Sequence, residues 1–124
     1  MNKRRLIVLI VDDAQLVIQR IVELLKELPC VDRIIGAGSF SQALQQLKTN
    51  VPDLVLMDIQ LPGQSGIELL MHVKKYYPAV KAVMLTNKAD LHYKAICEKE
   101  GCDYFIDKSS EFEKIPNIIE VYAS

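Results

Sequence analysis

The sequence has almost no net charge, no long apolar run and no linker. Lysine and arginine together number 15 and the acidic residues 16, which gives a net charge of −1. This balance provides no reason to expect direct binding to nucleic acid or to a membrane surface. The apolar run after the basic N-terminus covers only Leu6–Val11 and ends at two aspartates, so neither a signal peptide nor a transmembrane helix is predicted. We expect one domain over residues 1–124, located in the cytoplasm.

Cysteine is scarce and unpaired in the sequence. The three cysteines, Cys30, Cys97 and Cys102, form no C-x-x-C pair and are odd in number. That pattern indicates reduced thiols in a cytoplasmic protein. A zinc site that combined them with His72 and His92 would match no recurrent ligand spacing, and it is kept only as the minor alternative to buried or unreactive thiols.

Apolar runs alternate with helical patterns along the whole chain. Short, largely β-branched runs are typical of buried parallel strands, and apolar residues at helical spacing are typical of helices that cover a sheet. The predicted strands cover residues 6–11, 31–37, 54–57, 80–85 and 103–106. The predicted helices cover residues 14–28, a segment opened by Ser39, a segment from Ser65 to about Tyr77, residues 90–100 and residues 112–123.

Local signals mark several of these boundaries. Ser39 with Gln42, and Ser65 with Glu68, have the spacing of capping boxes, which predicts two helix starts. Pro116 is compatible with a helix only in its first turn, so the regular part of the last helix is expected to begin near residue 115. Gly101 is placed where the fourth helix needs a C-terminal glycine, and charges within the second run predict an edge strand.

The order of elements predicts an α/β protein with a doubly wound, five-stranded parallel sheet. Strands that alternate with helices are joined by right-handed crossovers, which place helices on both faces of the sheet. Ligands of such sheets bind beyond the carboxyl ends of the strands, where the strand order reverses. Functional residues are therefore expected directly after each strand.

Polar side chains stand at four of these strand ends. Asp12 and Asp13 follow the first strand, Asp58 the third, Thr86 the fourth and Lys108 the fifth. If the strand order is 2-1-3-4-5, the first and third strands are neighbours and the three carboxylates converge. Carboxylates that repel one another favour a bound cation, and oxygen ligands with open positions suit Mg²⁺.

The same residues have the chemical groups that phosphoryl transfer requires. A hydroxyl at Thr86 and an ammonium at Lys108 could stabilise phosphoryl oxygens, and Asp58 could act as the nucleophile by forming an acyl phosphate. Taken singly, each acid could be structural, and Asp13 could be the N-cap of the first helix. The joint placement favours the functional interpretation.

Four segments of the chain carry a resemblance to a known family. They read VDD at 11–13, MDIQLPGQSG at 57–66, MLTN at 84–87 and GCDYFIDK at 101–108. With these segments the chain resembles the bacterial response-regulator receiver domain over essentially its whole length. The resemblance implies a flavodoxin-like (βα)₅ fold with strand order 2-1-3-4-5, and transfer of a phosphoryl group to Asp58 from a phosphohistidine on a sensor histidine kinase or a histidine phosphotransfer protein.

The resemblance also implies roles for the other site residues. The carboxylates of Asp13 and Asp58 would hold Mg²⁺, with Asp12 acting mainly through water and the backbone carbonyl of Gln60 as a further ligand. Thr86 and Lys108 would bind the phosphoryl group. Thr86 and the aromatic Phe105 would then change orientation, which alters a protein-binding surface formed by helix 4, strand 5 and helix 5.

Partners follow from the same resemblance. A downstream protein or an output domain would read the altered surface, and phosphorylation could promote a homodimer through helices 4 and 5. A domain of this kind would catalyse only its own phosphorylation and dephosphorylation and would not otherwise be an enzyme.

Three residues depart from the family's usual pattern. Asn87 follows Thr86 where a small residue is common, which could slow access to Asp58 or alter the lifetime of the phosphoryl group. Ser109 follows Lys108 where proline is usual, so we expect a trans peptide bond there. Phe105 lacks the hydroxyl of a tyrosine, and the neighbouring Tyr104 should face the other side of the sheet.

Three other functions fit the sequence less well. A phosphatase of the haloacid dehalogenase type needs a second aspartate two residues after its nucleophile, where this chain has Gln60. A flavin- or nucleotide-binding relative needs a phosphate-binding loop after the first strand, where Asp12 and Asp13 would repel a phosphate. A degenerate receiver that only binds protein is disfavoured because every acceptor-site residue is present.

Overall fold

The computed structural model describes residues 5–87 and 91–124 and contains one parallel sheet. Its five strands lie in the order β2-β1-β3-β4-β5. This arrangement confirms the predicted doubly wound α/β fold and its strand order. The strands are β1 (Leu6–Val11), β2 (Val31–Ala37), β3 (Leu54–Asp58), β4 (Lys81–Thr86) and β5 (Tyr104–Asp107).

A helix follows each strand. The helices are α1 (Gln15–Leu25), α2 (Phe40–Thr49), α3 (Gly66–Tyr76), α4 (Leu91–Lys99) and α5 (Ile115–Ala123), and a 3₁₀ turn at Phe112–Lys114 leads into α5. Pro116 lies in the first turn of α5, as predicted. None of the helices in the described part of the chain is both long enough and apolar enough to cross a bilayer.

The two serine caps act as the sequence predicts. Ser39 Oγ accepts a hydrogen bond from the backbone N–H of Gln42 at 3.2 Å, and Ser65 Oγ accepts from the N–H groups of Ile67 and Glu68 at 3.1 and 3.4 Å. The positive φ of Gly101, +96°, fits its predicted place after α4. These caps fix where α2 and α3 begin and so fix the lengths of the loops after β2 and β3.

Several boundaries differ from the prediction. Helix α1 ends at Leu25, three residues before the predicted residue 28, and Leu28 N–H donates instead to Leu25 O in a tight turn at 3.0 Å. Pro29 disfavours the helical conformation of Leu28, so the helix does not extend to residue 28. Strands β3, β4 and β5 each run one residue further than predicted, so Asp58, Thr86 and Asp107 are strand residues. The predicted start of the fourth helix, residue 90, lies outside the described residues.

The buried strands separate two hydrophobic cores. Leu6, Val8 and Ile10 of β1 pack on one face with α1 and α5, while Leu9 and Val11 pack on the other face with α2, α3 and α4. Both faces of β1 and β3 are therefore covered by helices, which explains why these strands are continuous apolar runs. The carboxyl ends of the two strands stay open for polar residues.

The cysteines match the prediction of reduced thiols. Cys30 and Cys97 are buried, Cys102 is half-buried, and none of the three forms a disulfide. Burial raises the pKa of Cys97 and of Cys102 to about 11, so both thiols are protonated at neutral pH. Within residues 5–87 and 91–124, the cysteines do not join His72 or His92 in any cluster that could hold a metal ion.

Candidate functional site

Three carboxylates meet at the switch point of the sheet. Strand β1 pairs with β3, with Val11 opposite Met57, so the residues that follow them are neighbours. One carboxylate oxygen from each of Asp12, Asp13 and Asp58 lies within 4.8 Å of the others. The predicted convergence is therefore present in the structure.

A lysine neutralises part of this cluster. The ammonium of Lys108 donates to Oδ2 of Asp12 and, at 3.1 Å, to Oδ2 of Asp58. Asp12, Asp58 and Lys108 have relative exposures of 1%, 8% and 8%, whereas Asp13 is exposed. Three groups from the ends of three different strands thus form a buried charge network, in which each partner offsets the cost of burying the others.

Backbone N–H groups bind the remaining oxygens of the two buried aspartates. Asp12 Oδ1 accepts from the N–H of Ala14 at 2.8 Å, at the start of α1, and Asp58 Oδ1 accepts from the N–H of Gln60 at 3.2 Å. The N-cap position of α1 is Ala14, so Asp13 is not the helix cap that its position in the sequence allowed. Asp13 is left free to point its carboxylate at the cluster.

The balance of these interactions raises the pKa of Asp58. Burial is the main cause and the charge of Asp12 adds to it, while Lys108 and the N–H of Gln60 act in the opposite direction. Lys108 and the N–H of Gln60 therefore do not fully offset the cost of burying the charged form of Asp58.

Asp58→Asn is expected to raise the free energy of unfolding at neutral pH in the presence of EDTA. Folding raises the pKa of Asp58, so the folded protein favours the neutral carboxyl. That stabilising contribution is complete below the ordinary value of 3.8 and is lost as the pH rises through the folded-state pKa, whereas the amide keeps it at every pH. Urea unfolding of both proteins between pH 4 and 8 should show an advantage of the variant that grows with pH. A constant or shrinking difference would contradict this account.

A small pocket opens onto Asp58. It has a volume of about 220 Å³ and is lined by Asp58, Gln60, Thr86, Asn87 and Tyr93. Thr86 ends β4 beside β3, and its carbonyl accepts the N–H of Lys108 at 2.7 Å, which joins the ends of β4 and β5. The pocket is a suitable space for a phosphoryl group bound to Asp58.

Two residues of the site were not recognised from the sequence. Tyr93 on α4 forms one wall of the pocket. Gly66 lies against the backbone of Asp58, where an added Cβ would stand 1.9 Å from the carbonyl oxygen of Asp58. Gly66, the last residue of the PGQSG segment, could have predicted this close approach of two backbone segments. Nothing in the sequence pattern of α4 identified Tyr93.

Phe105 and Tyr104 face opposite sides of the sheet, as the strand alternation predicts. Phe105 is half-buried and packs on the core that includes α3 and α4. Tyr104 is 40% exposed and makes an edge contact with the ring of Tyr122 on α5, at 5.9 Å between centroids. A groove of about 380 Å³ beside β5 and α5 includes both residues in its lining, together with Val121.

The donor set at the switch point fits a hard divalent cation. All three clustered side chains are carboxylates, which are the ligands that Mg²⁺ prefers, and sulfur or imidazole ligands are absent from the cluster. Among the described residues, Lys108 is the basic side chain that pairs with this cluster, and it contacts Asp12 and Asp58 but not Asp13. The exposed Asp13 side of the cluster is thus where a cation would complete the charge balance.

Comparisons with known proteins agree with this geometry. The response regulator receiver domain family matches residues 8–120. The protein-glutamate methylesterase/protein-glutamine glutaminase of Desulfotalea psychrophila is 40% identical over 83 residues, which are 67% of this chain and 23% of that protein. The fimbriae Z protein of Salmonella typhimurium is 26% identical over 117 residues, which are 94% of this chain and 56% of that protein.

A solved structure gives the same result. The signal receiver domain of an HD domain-containing protein from Pseudomonas fluorescens has 30% sequence identity and a TM-score of 0.85, over 97% of this chain and 94% of that one. The chain therefore belongs to the response regulator receiver domain family, which is a signalling family. It spans 23% and 56% of the length of the two curated relatives described above.

Proposed function

We propose that Asp58 accepts a phosphoryl group from a phosphohistidine of a sensor histidine kinase or a histidine phosphotransfer protein, as one step of a two-component phosphorelay. The observation that carries this proposal is the contact of the buried Lys108 ammonium with the carboxylates of Asp12 and Asp58, next to Asp13. A receiver domain with these three carboxylates and this lysine has the nucleophile, the metal ligands and the cation that phosphoryl transfer needs. A cytoplasmic location is part of the same proposal.

We assign the binding of Mg²⁺ to four residues. Asp13 and Asp58 would supply carboxylate oxygens, Asp12 would act mainly through water, and Gln60 would add its backbone carbonyl. When bound, the ion supplies positive charge that offsets the carboxylates and draws the phosphoryl oxygens toward Asp58. The three carboxylate oxygens within 4.8 Å of one another support this assignment, and burial, which raises the pKa of Asp58, leaves its charged form in need of a cation.

The transfer step uses Asp58 as a nucleophile. A carboxylate oxygen of Asp58 attacks phosphorus, the bond between phosphorus and the imidazole nitrogen breaks, and that nitrogen keeps the electron pair and takes a proton from solvent. The product on this chain is an acyl phosphate. Lys108, 3.1 Å from Asp58 Oδ2, would contact one phosphoryl oxygen, and Thr86 would donate its hydroxyl to another.

The proposal is tested by exposing the protein to acetyl phosphate and measuring its intact mass. We expect one phosphoryl adduct that requires Mg²⁺, disappears in Asp58→Asn, and forms at least about tenfold more slowly in Asp13→Asn, because that change removes a charged ligand of the ion. Asp32→Asn is the matched control, because Asp32 is an exposed aspartate of the edge strand β2 that pairs only with Arg5, at 3.3 Å, among the described residues. It should behave as the wild type.

A folded protein that forms no adduct with any donor would favour the second candidate, a degenerate receiver that binds protein regardless of phosphorylation. The complete acceptor set argues against that candidate, because Lys108 contacts both Asp12 and Asp58 with Asp13 beside them. As a receiver, the chain would catalyse only its own phosphorylation and dephosphorylation.

Phosphorylation would change the protein-binding surface formed by α4, β5 and α5. Phosphorylation would draw Thr86 toward the phosphoryl group, and Phe105 on the adjacent strand β5 would change its orientation in response. The groove beside β5 and α5, with its exposed Tyr104 and Val121, would then differ between the two states. A downstream protein or an output domain is the proposed reader of this difference, without direct contact to nucleic acid by this domain.

The same surface is expected to support a homodimer after phosphorylation. Exposed apolar side chains on α5 and β5 favour self-association once Phe105 moves, because burying them together removes apolar surface from water. Sedimentation velocity with the phosphorylated protein, and with Asp58→Asn treated in the same way, measures this. An unchanged sedimentation coefficient on phosphorylation would count against the dimer.

A further inference from the structure

The backbone of Lys108 lies inside a hydrogen-bonded turn. Asp107, the last residue of β5, accepts two hydrogen bonds on Oδ1, from the N–H of Ser109 at 2.9 Å and from the hydroxyl of Ser109 at 2.6 Å. Lys108 therefore stands between two residues that are bound to each other. Its own N–H donates to the carbonyl of Thr86 at 2.7 Å. A proline at position 109 would have no N–H to give to this turn.

Glu111 holds the same turn from the other side. The N–H of Asp107 donates to Glu111 Oε1 at 3.1 Å, and the N–H of Glu111 donates to the carbonyl of Asp107 at 2.8 Å. Glu111 Oε2 in turn accepts from the ammonium of Lys114 at 2.6 Å. Asp107 thus uses its N–H, its carbonyl and its carboxylate within the loop that carries Lys108, which connects this loop to the 3₁₀ turn before α5.

These bonds matter because of the reach of a lysine side chain. Four rotatable bonds separate the Lys108 backbone from its ammonium, so the side chain can adopt many conformations. The ammonium is held at Asp12 and Asp58 only if the backbone of Lys108 is fixed at the right distance from them. The ends of β1 and β3 fix the two carboxylates, while the loop after β5 has to fix the lysine. Hydrogen bonds from the hydroxyl and then the N–H of Ser109 lower the pKa of Asp107, so its carboxylate remains a charged and strong acceptor.

We propose that Asp107 is a positioning residue for phosphoryl transfer, whose carboxylate acts through Ser109 to hold the Lys108 ammonium between Asp12 and Asp58. Asp107 itself touches neither the carboxylates nor the phosphoryl group. The role rests on the proposed function of Asp58, because it is the transfer step that the placement of Lys108 accelerates. Loss of Asp107 should slow that step and leave the identity of the acceptor unchanged.

The test compares Asp107→Ala with Asp107→Asn. Alanine removes the acceptor of both Ser109 bonds, while asparagine keeps a carbonyl oxygen in its place. At saturating acetyl phosphate and Mg²⁺, Asp107→Ala should form the Asp58 adduct roughly tenfold or more slowly, because small misplacements of a catalytic group have effects of this size. Asp107→Asn should restore a rate close to that of the wild type.

Asp103→Ala is the matched control for a loss of stability. Asp103 stands just before β5, at the end of the sheet away from Lys108. It accepts from Lys74 Nζ at 2.8 Å and from the N–H of Ala82 at 2.8 Å. Its removal should lower the thermal midpoint and leave the rate of adduct formation at wild-type level below that midpoint. A slow Asp107→Ala with a normal Asp103→Ala would separate positioning from general destabilisation.

A second measurement does not depend on phosphorylation. In ¹⁵N NMR of the lysine side chains, the buried ammonium of Lys108 should give a protected signal that Lys108→Met removes. That signal should disappear in Asp107→Ala and persist in Asp107→Asn. An unchanged signal, or an unchanged rate, in Asp107→Ala would overturn the positioning role. If the wild type forms no adduct but Asp107→Ala still loses the Lys108 signal, the proposed function is contradicted, and Asp107 keeps only its part in holding the Lys108 ammonium in place.

Discussion

Lys108→Met is expected to slow formation of the Asp58 adduct by about 10²-fold or more and to lower the free energy of unfolding in EDTA by about 3 kcal/mol. The first effect arises because the ammonium, 3.1 Å from Oδ2 of Asp58, would lie beside the phosphoryl group on that carboxylate. The second arises because Asp12, which is 1% exposed, would be left without its cationic partner. Rates come from intact mass and stability from urea unfolding.

A double variant separates these two effects. Adding Asp12→Asn to Lys108→Met removes the buried charge that the single change leaves unpaired, so most of the lost stability should return. The rate of adduct formation should stay low, because the ammonium is still absent. If Lys108→Met unfolded with the same free energy as the wild type in EDTA, the buried ion pairs would have no part in holding the site together.

Gly66→Ala is expected to destabilise the fold by more than about 3 kcal/mol. An alanine Cβ at this position would lie 1.9 Å from the carbonyl oxygen of Asp58 and 2.9 Å from the Cα of Ile59, and both of these are backbone atoms. The β3–α3 loop would have to move away from the end of β3, and Gly66 N–H would lose its 2.6 Å hydrogen bond to the carbonyl of Ile59. Adduct formation should fall as well, because the moved backbone carries Asp58.

Two other glycines give matched comparisons. The Cβ of Gly38→Ala would meet only the end of the flexible Gln42 side chain, at 3.4 Å. The free energy of unfolding of this variant should therefore lie within about 0.5 kcal/mol of the wild-type value, as is usual for surface substitutions. Gly63 has open space around it but a φ of +86°, so its alanine variant should cost about 1 kcal/mol from backbone strain alone. A Gly66→Ala protein as stable as Gly38→Ala would show that the loop relaxes freely.

The fold followed from patterns that the sequence displays locally. Continuous apolar runs predicted strands buried on both faces, and the serine caps at Ser39 and Ser65 placed two helix starts correctly. The end of α1 was predicted too late because Leu28 continues the apolar stripe, although Pro29 disfavours the helical conformation of the residue before it. Strand ends were one residue short because a polar residue such as Asp58 or Thr86 interrupts an apolar run without interrupting the hydrogen bonds of the sheet.

The site was predictable wherever its residues follow a strand. Asp12, Asp13, Asp58, Thr86 and Lys108 share one edge of the sheet because parallel strands end together. Their functional roles remain proposals. Pocket residues that do not follow a strand could not be predicted from strand order. Tyr93 lines the pocket from α4, and its position depends on how that helix packs.

The turn around Lys108 shows a further limit of sequence patterns. The presence of Ser109 in place of proline predicted a trans peptide bond, and no cis bond occurs among the described residues, which include this pair. The pattern did not reveal that Asp107 would bind both the N–H and the hydroxyl of Ser109. Such a bond depends on the side-chain rotamers of two neighbouring residues, which no periodicity records.

The central claim, that Asp58 carries the phosphoryl group, is tested most directly by reductive trapping. Borohydride reduces an acyl phosphate to an alcohol and leaves free carboxylates unchanged, so peptide mass spectrometry after treatment with acetyl phosphate, Mg²⁺ and borohydride identifies the modified residue. We expect the reduced side chain at position 58 alone, with none in a sample that contains EDTA. Reduction at Asp12, Asp13 or another acid, or a stable adduct on a histidine or serine, would contradict the account.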